Sequence, residues 1–281
     1  MVDSLAEKGV NQLYIIGGDG THRGAHAIYQ EAKRRKMKLA VAGIPKTIDN
    51  DCGLIDSSFG FDTAVEQAVK AIRSSVVEAT CIPNGIGITK LMGREAGFIA
   101  AHATLASRRV DLCLVPEVPM KMDGEHGILD YVFKTCKKQG HAVIVVAEGA
   151  GLSMMTADSK ERDESGNIRL PTVGKFLKDK INRYFSSKGE KANIKFHDPS
   201  YMIRSVAANA SDSVLCNILA ENAVHGVMAG FTGFTSGIVN HRSVMIPIPA
   251  ITATSPIKLN PKGRTWERVC NETQQPHWNN V

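Results

Sequence analysis

The 281-residue sequence has no Cys-x-x-Cys pair, no long apolar run and few aromatic residues, and each absence removes a class of function. Its six cysteines (Cys52, Cys81, Cys113, Cys136, Cys216, Cys270) stand singly. They read as free thiols in a reducing compartment, not as a disulfide framework or a zinc site. The nine histidines show no metal-ligand spacing, and His22 reads as part of a solvated helix start. No run approaches the ~20 apolar residues of a membrane-spanning helix. The opening residues, Met1 to Lys8, have neither the apolar core of a signal peptide nor an Arg/Ser-rich transit composition. Net charge is +6, with a basic run from Lys33 to Lys38. No aromatic residues interleave there to stack bases, so the run reads as a solvated helix end facing the negative pole of the macrodipole. Neither nucleic acid nor membrane is an expected partner; a modest positive balance suits anionic small-molecule substrates.

What is present is an alternation of short β-branched runs with amphipathic stretches, the pattern of an α/β protein with parallel strands. Strands are expected at Gln12–Ile16, Leu39–Gly43, Gly85–Thr89, Leu112–Val115 and Ala142–Ala147. One expected helix carries Val65, Ala68, Val69, Ile72 and Val76 on one face and opens with a Thr63-x-x-Glu66 capping box. Another runs from about Asp212 to Gly230, with Val214, Leu215, Ile218, Leu219, Ala223, Val224 and Val227 on its apolar face. The polar stretch Asp158–Asn167 reads as a surface loop, and Phe231–Gly237 (FTGFTSG) as a turn with close packing. Residues 2–8 read as a helix stopped by Gly9 and followed by a strand, the second half of a βαβ unit. On that reading the chain is the later part of a longer protein.

Four groups carry chemistry. Gly17-Gly18-Asp19-Gly20-Thr21 follows a strand and opens a helix. Glycines there let backbone N–H groups approach phosphate oxygens, the helix N-terminus adds a positive pole, and Asp19 can hold Mg²⁺ against the phosphates. Gly43 to Asp51 (GIPKTIDND) also ends a strand. A kinase acting on an alcohol needs a base and help for the moving phosphoryl group, and Asp49 and Asp51, two apart on an extended segment, can divide those tasks. Lys46 and Thr47 add a cation and a hydroxyl. Taken alone, the Asp-Asn-Asp run fits a polar turn equally well. Met92-Gly93-Arg94 and Glu148 follow two further strands: a planar guanidinium for phosphate, a carboxylate for sugar hydroxyls. In open α/β sheets ligands bind beyond the carboxyl ends of strands, where all four groups lie.

GGDGT at Gly17, PKTIDND at Pro45, FGFDTA at Phe59, KLMGR at Lys90, VAEGAG at Val146 and PSYMIR at Pro199 resemble, in order and spacing, segments of the phosphofructokinases. The resemblance is to the plant and protist-type ATP-dependent branch and runs from Val2 to about Pro249. It implies two doubly wound Rossmann-like α/β domains with the active site in the cleft between them. The first would be residues 1–75 with 204–250, binding nucleotide; the second, 76–203 with 251–281, binding sugar phosphate. It implies phosphoryl transfer from ATP to the C1 hydroxyl of fructose 6-phosphate, with Mg²⁺ as cofactor and a homo-oligomer, a tetramer, as the assembly. By the same resemblance Asp49 is the proton acceptor and Asp19 the magnesium ligand. Gly18, Asp19, Gly20 and Thr21 bind nucleotide. Thr47, Ile48, Asp49, Met92, Gly93, Arg94 and Glu148 line the sugar-phosphate site, joined by Tyr201, Arg204 and Lys195. The expected location is the cytoplasm, or a plastid if a transit peptide precedes Met1.

Donor choice turns on two positions. Pyrophosphate-dependent relatives share Lys46 but carry Asp where this chain has Gly20; a carboxylate there would crowd and repel the α-phosphate of ATP. Lipid and NAD kinases share a GGDGT-like turn but nothing after residue 43. Relatives also have an upstream segment whose glycine turn and arginine loop complete the nucleotide site. Residues 1–281 alone are therefore expected to show little kinase activity, which leaves a silent sugar-phosphate-binding chain as another reading. Many bacterial relatives place an arginine from a neighbouring subunit where this chain has Gly85, so that contact is not expected here.

Overall fold

The computed structural model describes residues 1–155 and 172–278; the expected loop at Asp158–Asn167 lies outside the described residues. The elements of the first half are α1 (Val2–Glu7), β1 (Gln12–Gly17), α2 (Asp19–Arg34), β2 (Ala40–Pro45), α3 (Phe61–Thr80), β3 (Gly85–Leu91), α4 (Phe98–Ser107), β4 (Leu112–Leu114), α5 (Ile128–Gln139) and β5 (His141–Ala147). There follow α6 (Leu152–Met155), α7 (Val173–Ser187), β6 (Asn193–His197), α8 (Ser200–Arg204), α9 (Ala210–Met228), β7 (Phe234–Val239), β8 (Arg242–Pro247), α10 (Ile248–Thr254) and α11 (Arg264–Thr273). Among the described residues no helix is long and apolar enough to cross a membrane.

The chain divides into two compact α/β units, Met1–Thr63 with Ala207–Ile257, and Ala64–Val206 with Lys258–Val281. The first division thus falls at residue 63, inside α3, where the sequence placed it at 75. The reason lies in the strand that the later turns of α3 cover. A β-carbon on Gly87 would lie 2.4 Å from Ser75 Oγ, and one on Gly85 would lie 2.0 Å from the Ala79 carbonyl oxygen. Only glycine admits so close an approach of helix and strand, and no arginine fits at Gly85. At the other end, residues 251–257 sit with the first unit because α10 is anchored there. Ile248 joins the core beside α2, and the Gly53 N–H donates to Ser255 Oγ at 2.9 Å.

The first unit holds a four-stranded sheet ordered β1-β2-β7-β8, parallel except for β8. Alternation along β2 feeds two cores. Val41 packs with Ala25 and Ala32 of α2, while Ala42 and Ile44 pack with Leu219, Ala223 and Val227 of α9. Val214 and Val224, expected on the buried face of α9, are 59% and 44% exposed, because the helix buries a narrower stripe. The expected turn at Phe231–Gly237 is only partly one. Gly233 (φ 72°) turns the chain, and from Phe234 onward the residues form β7, with Thr235 and Ser236 fully buried. The β7–β8 hairpin turns at Asn240 and His241 (φ 49° and 61°), whose N–H groups both donate to the Asp56 carboxylate.

In the second unit the sheet is wholly parallel, ordered β4-β5-β3-β6. Central strands β3 and β5 are buried on both faces, which is why β5 is apolar from Ala142 to Ala147 and β3 is interrupted only by Thr89 and Lys90. Gln275 completes the β4 edge: its side chain accepts from the Cys113 N–H at 2.8 Å and donates to the Cys113 carbonyl at 3.1 Å.

The expected capping box at Thr63 is not formed, since α3 begins at Phe61 and Thr63 lies inside its first turn. The Thr63 hydroxyl donates instead to Asp212 at 2.6 Å, and Glu66 pairs with Lys70 at 2.8 Å.

Candidate functional site

In the first unit β1 ends at Gly17, and Gly18 caps α2 with extended backbone and no side-chain cap. The first helical bond runs from the His22 N–H to the Gly18 carbonyl, so the N–H groups of Asp19, Gly20 and Thr21 precede the helical ladder. A β-carbon on Gly17 would lie 2.4 Å from Thr21 Oγ1, whereas nothing lies within 4 Å of one on Gly20. This is open space beside bare amides, suited to a phosphate. Asp19 Oδ2 accepts from Arg23 Nε at 3.0 Å, and Asp19 Oδ1 is buried without a hydrogen-bond partner.

His22 is 2% exposed, not solvated as the sequence implied. Its Nδ1 lies 2.9 Å from the Gly18 carbonyl and its Nε2 2.9 Å from Thr235 Oγ1. A carbonyl only accepts, so Nδ1 carries the proton in the neutral ring and Nε2 accepts from the threonine. The ring occupies the space over Gly43, where a β-carbon would lie 2.7 Å from Nε2. Two motif glycines and a distant strand therefore share one histidine. Its partner is far along the chain, so only the His directly after GGDGT hinted at it.

The second motif joins the first through the Lys46 N–H, which donates to the Gly17 carbonyl at 2.9 Å; the Lys46 side chain is exposed. The loop beyond it is not extended, as the sequence implied. Asn50 has a left-handed backbone (φ 53°), and Thr47 Oγ1 accepts from the Asp49 N–H at 3.1 Å while donating to Asp51 Oδ1 at 3.2 Å. Thr47 thus ties both acids. Ser58 clamps the loop from outside: its hydroxyl donates to the Thr47 carbonyl at 2.8 Å and its N–H to Asn50 Oδ1 at 2.9 Å. Gly60 (φ 101°) passes beside Ile48, whose Cγ2 would lie 3.2 Å from a β-carbon. Next to Asp51, burial pushes the Cys52 thiol up to about 12, so it is no nucleophile.

In the second unit adjacent strands β3 and β5 bring their loops together. The Glu148 N–H donates to the Leu91 carbonyl, the Gly149 N–H to the Gly93 carbonyl, and Arg94 Nε lies 3.4 Å from Glu148 Oε1. Met92 is buried; Gly93 (φ 131°) and Gly149 let two backbones touch, since their β-carbons would lie 2.5 Å from the Ala96 carbonyl and 1.8 Å from that of Arg94. Lys90 Nζ pairs with Asp198 at 2.7 Å, and Ser200 donates to the same carboxylate, which fixes the start of α8 beside β3. Tyr201 and Arg204, on α8, are exposed. Lys195 lies apart from this group. It pairs in register with Gly87, below the strand ends, and its Nζ is 4.0 Å from Glu78.

Among the described residues no three His, Cys, Asp or Glu side chains cluster as an all-protein metal site. Mg²⁺ does not need one, because it is held by one or two carboxylates together with substrate phosphates. The buried, unpartnered Asp19 oxygen beside bare helix amides fits that mode.

Comparison with known proteins gives a concordant result. The sequence profile described as Phosphofructokinase matches residues 1–227. ATP-dependent 6-phosphofructokinase 1 of Arabidopsis thaliana is 52% identical over 98% of this chain and 59% of its own length. The chloroplastic ATP-dependent 6-phosphofructokinase 4 of the same plant is 49% identical over 98% and 53%. The chain thus spans a little over half the length of these relatives. Among solved structures, the pyrophosphate-dependent phosphofructokinase of Marinobacter aquaeolei superposes with a TM-score of 0.77, covering 99% of this chain and 70% of its own, at 21% identity, a likeness of fold alone. A match of that extent, on a chain whose glycines, acids and strand ends are arranged as described, means that the protein belongs to the phosphofructokinase family.

Proposed function

We propose that the protein carrying this chain transfers the γ-phosphoryl group of ATP to the C1 hydroxyl of fructose 6-phosphate, giving fructose 1,6-bisphosphate. The observation that carries the reading is the Asp19 carboxylate, with one oxygen buried and unpartnered, beside the open volume at Gly20. The names of the Arabidopsis relatives support ATP as donor.

In this reading Gly18, Asp19, Gly20 and Thr21 receive the nucleotide phosphates on the amides of α2, and Asp19 holds magnesium. Magnesium, when bound, offsets the charge on the phosphate oxygens. Asp49 takes the C1 proton as the sugar oxygen attacks the γ-phosphorus; the bond from that phosphorus to the bridging oxygen breaks, and ADP leaves. The bond from the Asp49 N–H to Thr47 holds the base in place. In the first unit Thr47 and Ile48 flank the base; in the second, Arg94, Tyr201 and Arg204 hold the sugar phosphate, Glu148 accepts from sugar hydroxyls, and Met92 and Gly93 line their loop. Lys195 needs to leave Glu78 to join them.

The test is ³¹P NMR of fructose 6-phosphate mixed with ATP and Mg²⁺ in the presence of the protein. The expected result is a new C1 phosphate resonance growing as ADP forms. Bound substrates with no C1 phosphate would overturn the reading.

A further inference from the structure

We infer that Asp212 is a positioning residue for the loop that carries Asp49, acting through the first turn of α3. Its carboxylate is fully buried, although it lies on α9, 149 residues along the chain from Thr63 in the first turn of α3. Oδ1 accepts from the Gly60 N–H at 2.9 Å; Oδ2 accepts from the Thr63 N–H at 2.8 Å and from the Thr63 hydroxyl at 2.6 Å. Having donated to Asp212, Thr63 Oγ1 accepts from the Asn209 N–H at 3.0 Å, and Asn209 caps α9 by accepting from the Asp212 N–H. The negative charge therefore sits at the N-termini of two helices, its own and α3, where both dipoles favour it. A buried carboxylate is costly unless its oxygens are satisfied, and here each accepts at least one hydrogen bond.

From this anchor the path to the base is short. Gly60, held by Asp212, follows Phe59, which bridges to Lys46, and Ser58, which clamps Thr47 and Asn50. Thr47 in turn holds the Asp49 N–H. Gly60, permissive in itself with a positive φ, is fixed where it passes Ile48 by the bond from its N–H to Asp212. A shift at Asp212 is thus passed to the backbone on both sides of Asp49, while the amides of α2 hang from another strand. The expected consequence is a loss of turnover with substrate affinity kept, since misplacing a reacting group by about 1 Å costs about 10²-fold in rate.

The amide in Asp212→Asn offers one acceptor oxygen to two backbone N–H groups, so one is left unpaired. The inference rests on the proposed transfer for its kinetic readout, and a second readout is independent of it. In Asp212→Asn, kcat should fall about 10- to 100-fold, with KM for both substrates within about threefold. Hydrogen exchange of the segment 44–51 should quicken, while that of β1 stays unchanged. Thr63→Ser should retain wild-type turnover and Thr63→Val should lose it in part, so the pair decides the matter if Asp212→Asn does not fold. A folded Asp212→Asn with normal kcat, a loss confined to KM, or equal effects of the two Thr63 changes would overturn the inference. If the wild type transfers no phosphoryl group, the proposed function fails, and the exchange of segment 44–51 decides the positioning role: unchanged exchange in Thr63→Val refutes it.

Discussion

The two units hold the loops beyond their strand ends by different means. In the first, side-chain hydrogen bonds do it: His22 with Thr235, Thr47 with both acids, Ser58 with the loop backbone. Polar capacity is left over, in the unpartnered Asp19 oxygen and the open space at Gly20. In the second, backbone crowding at Gly93 and Gly149 and the ion pairs Lys90–Asp198 and Arg94–Glu148 fix the loops. The contrast separates two kinds of failure. Conservative polar changes in the first unit should remove chemistry and spare the fold, while small steric changes in the second should damage the scaffold before the chemistry.

The sharpest break of that comparison is at Asp49. Asp49→Asn keeps shape and backbone bonds but cannot accept the proton, so kcat should fall by about 10²–10⁴. Fructose 6-phosphate affinity, measured by calorimetry, should stay within a few-fold. Near-normal kcat would remove Asp49 from the mechanism.

Paired glycine changes come next in size. Gly149→Ala drives a methyl into the Arg94 carbonyl, so it should destabilise the protein by about 1–3 kcal/mol in urea titration. Gly20→Ala meets nothing within 4 Å in a first helical turn, and it should be neutral or stabilising by up to about 1 kcal/mol. Equal costs at the two sites would erase the distinction between the units.

The smallest effect is in acid. Burial raises the Asp198 pKa, but hydrogen bonds from Lys90 and Ser200 outweigh it and hold the carboxyl below its ordinary value. A carboxylate lowered in the folded state contributes stability above its unfolded pKa of about 3.9, and loses it as pH falls through the folded value. Asp198→Asn should therefore lower the thermal midpoint at neutral pH and cost progressively less below about pH 4. A difference between the two proteins that does not vary with pH would show that Asp198 contributes no titrating charge.

Much of this was legible in the sequence, and the exceptions share a cause. Buried parallel strands such as β3 and β5 announce themselves as largely apolar runs. The edge strand β6, half-exposed and containing Lys195 and His197, does not, nor does β7, whose Gly, Thr and Ser residues resemble a turn. The turn from β1 into α2 at Gly17–Thr21 was legible because its glycines are local. The partners of His22 and Thr63 were not, because each binds a group more than a hundred residues away. At Thr63 a local capping pattern was present, and a distant carboxylate took its hydroxyl.

The proposed use of ATP by the first unit is tested most directly by kcat/KM for ATP and for pyrophosphate, side by side, in the wild type and Gly20→Asp. Like charges brought together cost several kcal/mol, so Gly20→Asp should cut ATP use by at least about tenfold and pyrophosphate use far less. The wild type should prefer ATP. A wild type that prefers pyrophosphate, or a substitution that depresses both donors equally, would contradict the account.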